Sequence, residues 1–316
     1  MPESPPRQVH RLTGLDAQNP LAFLAALGTL RILDDVARVA GASAPRLRFV
    51  DTGSQVPEVE TEHTADRLLE ILVDDAASGR GGAALDLVYD DRGEAHVEAT
   101  KRDLKPSPRL AAEYRLALAQ RWHEDRRAAD FAHAFFSELV QDNNGNTKPT
   151  ALHFAAGQQQ WLAMVLELRR EASISRMREA LFGPWTEHAA PSLAWDSTVA
   201  RNYALRAVDP SSEKRGSIPG ANWLGVVGLT FFPVEVVRHR VVTPRVVGGW
   251  KTSTFTWPLW SGWASSKVAQ GILRADVAAL DRGQRALLGV DRVHASRILR
   301  SEQGGYGSFS PSEVVG

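Results

Sequence analysis

The chain contains no cysteine. That absence excludes disulfides, thiolate catalysis and Cys-ligated zinc or iron–sulfur centres, and it fits a reducing, cytoplasmic setting. No apolar run reaches about 18 residues, so no membrane-spanning helix is expected. The first ten residues, "MPESPPRQVH", lack the apolar stretch of a secretory signal. Specific catalytic motifs are missing too: there is no GxxxxGK[ST] phosphate loop, no HExxH and no GxSxG. The nine histidines are scattered, with no two at metal-ligand spacing, so neither a metal site nor a cofactor is expected.

What remains is a soluble-type composition. The 316 residues are 43% hydrophobic and 23% charged, enough for one large domain or two ordinary ones. Net charge is zero, with 37 Lys+Arg against 37 Asp+Glu, but the charges are segregated. Residues 51–100 carry thirteen acids and three bases, a net −10, whereas residues 231–316 carry eleven bases and six acids, a net +5. Such asymmetry suits a basic surface for a polyanionic partner, and equally two regions that face each other or water.

The best helix runs through "NPLAFLAALGTLRILDDVARVAG". Asn19 suits the N-cap, Pro20 the first helical position and Gly41 the end. Gly28 would let a neighbouring element approach closely. "VHRLTGL", "RLRFVD" (46–51) and "ALDLVYD" (84–90) read as strands, and "TADRLLEILVDDAAS" as a helix. Helical character is expected over residues 107–140, again from "GQQQWLAMVLELRRE" and "SRMREALFG", and in "GANWLGVVGLTFF", "WASSKVAQGILR" and "VDRVHASRILR". A strand pair is expected at 234–247 and 251–257, and "QDNNGNTKPT" (141–150) as a loop. The sum is an α+β fold: a helix-rich first two-thirds with a mixed or antiparallel sheet, and a C-terminal β-ribbon. A division into residues 1–184 and 185–316 is one reading, and a single continuous domain is the other.

Four segments carry candidate chemistry. "RAADFAH" sets Arg127 six residues before His133, similar to the loose Arg-x(4–6)-His pattern of the helical HEPN ribonucleases. There the histidine serves as acid and base while the arginine steadies the phosphate. Ala128 follows the arginine where those enzymes carry a polar residue, and Phe131 and Phe135 flank His133, which favours a structural histidine. "VETEH" places Glu60 and Glu62 on one strand face beside His63, a weak cation motif. "NNGNTKPTALHFAAGQQQWL" crowds Asn144 and Lys148 onto a turn before Gln158 and Gln159. A helix opening at Gly157 would offer backbone N–H groups to a phosphate.

The fourth segment is "FFPVEVVRHRVV" (231–242), a valine-rich strand with arginines in its middle. A β-bulge at Val236–Val237 would turn Arg238 and Arg240 outward together. Arg245 and Lys251 follow, with Trp250, Trp257, Trp260 and Trp263 nearby, and Lys214 with Arg215 forms a basic loop upstream. Each tryptophan taken singly is a core residue. Basic side chains beside aromatics suit nucleic acid or a protein partner.

"GLDAQNPLAFLAALGTLRIL", "TKPTALHFAAGQQ" and "AWD…NYALRAVDPSSEKRGSIPGANWLGVVGLTFFP" together resemble proteins of type I-G (formerly I-U) CRISPR loci. The nearest likeness is the family described as an extension of the Cas helicase-nuclease, over about residues 12–260. The resemblance implies antiviral defence, with CRISPR RNA, target DNA, Cas effector subunits or the helicase-nuclease itself as partners. It brings no catalytic residue.

Overall fold

The structure, a computed structural model, describes residues 6–199, 216–277, 279–301 and 306–315. Its centre is α1 (Pro20–Ala40), which is buried on almost every side, as expected of a helix apolar all round. Asn19 caps it through Oδ1, which accepts the Leu21 N–H at 3.1 Å. Gly41 closes it in the left-handed conformation, φ 64°. Across α1 lies α8 (Pro219–Gly228). The two backbones nearly touch: a Cβ at Gly28 would sit 1.8 Å from Leu224 O, and one at Gly228 would sit 2.1 Å from Leu24 O. The close approach expected of Gly28 is therefore realised, against a helix from the other end of the chain.

Two antiparallel sheets flank this pair. β1 (Gln8–Arg11), β2 (Arg46–Asp51) and β3 (Gln55–Thr61) form one, with β3 central. The other holds β8 (Val246–Val247), β9 (Thr254–Trp260), β10 (Val290–Arg300), β11 (Gly307–Phe309) and β12 (Glu313–Val314). The helices α2 (Ala65–Ala77), α3 (Gly82–Leu85), α4 (Pro108–Gln120), α5 (Arg126–Phe135), α6 (Trp161–Arg170) and α7 (Ile174–Phe182) pack around the first half of the chain. α9 (Ser266–Arg274) and α10 (Arg282–Leu287) precede β10. One hydrophobic cluster runs from Leu12 to Phe309, so the halves on either side of residue 184 share a core. The architecture is α+β, as the sequence indicates.

Several expected elements change identity. "ALDLVYD" supplies the end of α3 and an irregular stretch with a single bridge from Tyr89 to Lys101. The helical run expected to residue 140 stops at Phe135 and becomes β4 (Phe136–Gln141), which pairs with β5 (Thr147–Pro149) around the presumed loop. "VDRVHASRILR" is the eleven-residue strand β10 rather than a helix. Its apolar positions recur at mixed spacing, and its helix-forming arginines are overridden by pairing on both edges, with β9 on one side and β11 and β12 on the other.

Candidate functional site

The valine-rich segment does not run straight through its arginines. β6 (Glu235–Val237) and β7 (Arg240–Val242) form a hairpin with Val237 paired to Arg240, so Arg238 and His239 are its two-residue turn. The expected bulge is absent, because the chain reverses there instead. Both turn residues have positive φ, 49° and 60°, as the tight mirror-image turn of a hairpin requires. That role normally goes to Asn-Gly. An arginine and a histidine there cost about 1 kcal/mol or more each in backbone strain. Arg238, His239 and Arg240 are all exposed.

The hairpin packs against β4, and Val234 N–H donates to His133 O at 2.8 Å. Two segments singled out separately in the sequence are thus neighbours. Asn144 sits exposed in the β4–β5 turn, its N–H bonded to Asp142 Oδ1. Lys148 lies in β5 opposite Ser137. Beyond β7, Thr243 Oγ1 accepts the Ala151 N–H at 2.7 Å. Ala151 O in turn accepts from Arg300 Nη2 at 2.8 Å. The Arg300 guanidinium lies 3.8 Å from the centroid of the Trp250 ring, and the exposed Lys251 follows. A strip of contacts, running through the buried Thr150, Leu152, His153 and Thr243, therefore links the β6–β7 hairpin to Arg300 and Trp250, with Lys251 next in the chain.

Not every predicted residue belongs to it. Arg245 (φ 67°) is tied inward: Nη1 donates to Ala275 O at 2.9 Å and Nη2 to Thr256 Oγ1 at 3.0 Å. Burial lowers its pKa. Lys214 and Arg215 lie outside the described residues. Gln158 and Gln159 do not open a helix, since α6 begins at Trp161. The N–H groups at its start are already engaged, Trp161 with Asp103 Oδ1 and Leu162 with Arg102 O. The phosphate seat expected there is thus occupied, and by a carboxylate on one side. Glu60 is held by Arg7 and Arg46.

Trp257 and Trp260 are core residues whose Nε1–H groups donate to Ala17 O and Leu47 O. Trp263 lies half-buried under Arg48. Trp250 alone of the four is largely exposed, at 56%. Arg300 escaped notice in the sequence because "RILR" read as the end of a helix. A strand reading would have left its cation to be accounted for.

The ribonuclease-like pair comes apart. Six residues along a helix amount to 600°, which leaves the two side chains about 120° apart around the axis. Arg127 is fully buried, with Nε and Nη2 bonded to Asp35 Oδ2 and Nη1 to Asp75 Oδ2. His133 is exposed, not part of the core, and its Nδ1–H donates to Ala129 O at 2.7 Å. Around Arg127, Arg31 bridges Asp35 and Asp130, and Arg80 reaches the other oxygen of Asp75. Burial alone would raise the Asp35 pKa, but Arg127 and then Arg31 reverse the effect and bring it down to about 2.

Charge pairing divides the molecule. Arg31, Arg80 and Arg127 in the first half are spoken for by carboxylates. Of the eleven Lys and Arg beyond residue 230, Arg292, with Asp51, is the one described residue that has a carboxylate within 4.0 Å. No protein-family model, no curated protein and no solved structure matches the chain.

Proposed function

We propose that this protein is a non-catalytic subunit or accessory protein of a type I-G CRISPR defence system, gripping nucleic acid through the strip from Arg238 to Lys251. The observation that carries the reading is the set of basic side chains left without carboxylates in the C-terminal part. Arg238, Arg240 and Lys251 stand exposed there, free to neutralise phosphates. The system assignment rests on the sequence resemblance over about residues 12–260. Backbone strain at Arg238 and His239 is consistent with residues retained for contact rather than for stability.

The test is a titration of labelled single-stranded RNA and DNA at several salt concentrations. Three phosphate contacts give a log–log slope of about −2, at ~0.7 per contact. Arg238→Glu with Arg240→Glu should weaken binding and flatten that slope by about 1.4. Unchanged affinity in this variant refutes the assignment.

A second reading, docking on a neighbouring Cas protein, is favoured by one observation. Leu139, Val236 and Val237 are exposed at 72%, 36% and 48% beside the same arginines, and an apolar patch with arginines suits a protein interface. Co-purification with the helicase-nuclease that survives nuclease treatment and high salt would select it, because phosphate-driven binding weakens steeply with salt.

A further inference from the structure

Trp250 and Lys251 occupy the two central positions of a β-turn closed by Thr252 N–H on Gly249 O at 3.1 Å. The turn is tightly built: a Cβ at Gly248, whose φ is 98°, would meet Thr252 O at 2.5 Å. An indole at such a tip, 56% exposed, gains little from folding. It is nevertheless held in place, since Arg300 lies against one face at 3.8 Å from the centroid. Among the described residues, no other ring packs on it.

Arg300 is itself unusual. It has no carboxylate partner among the described residues, and its Nη groups reach Ala151 O and, at 3.5 Å, His153 O. Phe154 flanks it at 5.5 Å, and its Nε is buried without a partner. Burial lowers its pKa to about 10, which still leaves it charged at neutral pH. A half-buried cation without a counter-ion among the described residues, stacked under an exposed indole beside Lys251, is an arrangement that suits a π-face and a negative charge together.

We infer that Trp250, clamped by Arg300, stacks one unpaired base while Lys251 contacts the adjacent phosphate, so the strip selects single-stranded nucleic acid over duplex. The inference rests on the polyanion reading above and adds the strandedness. In a duplex each base is already stacked on its neighbours, and the face that Trp250 needs is covered. The clamp supplies pre-organisation, because the ring does not have to be ordered on binding.

Fluorescence anisotropy with labelled 20-mers, single-stranded and as the matching duplex, decides the matter for both RNA and DNA. Trp250→Ala should weaken single-strand binding about tenfold, the worth of one aromatic–base stack, with the salt slope unchanged. Duplex binding should move less than about twofold, and Trp250→Phe should retain most of the affinity. Lys251→Ala should leave strand preference intact and flatten the salt slope by about 0.7. Equal losses on strand and duplex, or no loss on either, overturn the stacking while leaving the polyanion reading standing. Failure of the wild-type protein to bind any nucleic acid overturns both. Loss of helicase-nuclease co-purification in Trp250→Ala, with strand affinity unchanged, makes Trp250 a protein contact and likewise overturns the inference.

Discussion

Replacing Arg127 with methionine tests whether the buried charge cluster is structural. The guanidinium is fully enclosed and satisfies Asp35 and Asp75 at once. Methionine fills similar space but leaves both carboxylates short of a partner. Removing one member of a buried pair costs about 3–5 kcal/mol, because a charge is left behind in a poor solvent. For 316 residues, at ~2.1 cal/mol/K each, that is a fall in Tm of about 5–8 °C. The pH dependence gives a second reading of the same cluster. Asp35 is depressed from 3.8 to about 2 when folded, so it contributes about 2 kcal/mol of stability above pH 4 that is lost as pH falls through 2. In the variant Asp35 loses its largest counter-charge, so burial pushes its carboxyl back up and it takes up a proton earlier as the pH drops. The deficit against wild type should therefore shrink from pH 7 to pH 4. Thermal scans by circular dichroism across that range check it. A deficit below about 1 kcal/mol at pH 7, or one that does not change with pH, would refute the reasoning.

Other expectations follow from particular residues. Gly28→Ala should destabilise by about 3 kcal/mol or more, since the new methyl meets the Leu224 carbonyl of a packed helix. Gly271→Ala in α9, where nothing lies within 4 Å, should instead stabilise by about 0.5–1 kcal/mol; chemical denaturation of the two variants separates them. Arg238→Asn with His239→Gly should raise Tm by relieving the strained turn and weaken polyanion binding, a trade that anisotropy and thermal scans measure together. His294 is buried with neither ring nitrogen bonded, and burial followed by the Arg292 charge lowers its pKa below 6.5. Folding thus opposes its protonation, and stability is lost as pH falls through 6.5. His294→Phe, which keeps the stack on Trp257, should flatten that loss between pH 7 and 5. Incubation of labelled RNA with the protein in EDTA should give no cleavage dependent on His133, as its ring and Arg127 point to different sides of α5.

Local rules carried far where a segment's own chemistry decides its shape. Asn19, Pro20 and Gly41 delimit α1 as caps and a starter do in any helix, and Thr64 does the same for α2. Local rules failed where long-range pairing decides. β10 reads as a helix until both of its edges are supplied by strands remote in sequence. The arginine turn read as a bulged strand because Arg-His is a poor choice for that turn, which is set by the β6–β7 pairing and the packing of the hairpin on β4. For the candidate site, the exposed Arg238, Arg240 and Lys251 were legible as a basic run, whereas Arg245 was not separable from them until its carbonyl partners were in view.

By itself the sequence determined that this is an α+β protein without cysteine chemistry, with a glycine set for close contact in its first helix and unbalanced positive charge near its end. Such features depend on residue type and on neighbours a turn away. Only the tertiary structure decided which charges are spent and which are free. Arg127 became a buried strut because Asp35 and Asp75 converge on it from α1 and α2. The half-buried Arg300 came to lie under the exposed Trp250 because β10 and the β8–β9 turn meet there. Pairing of that kind depends on distances between segments far apart in the chain, which no local pattern encodes.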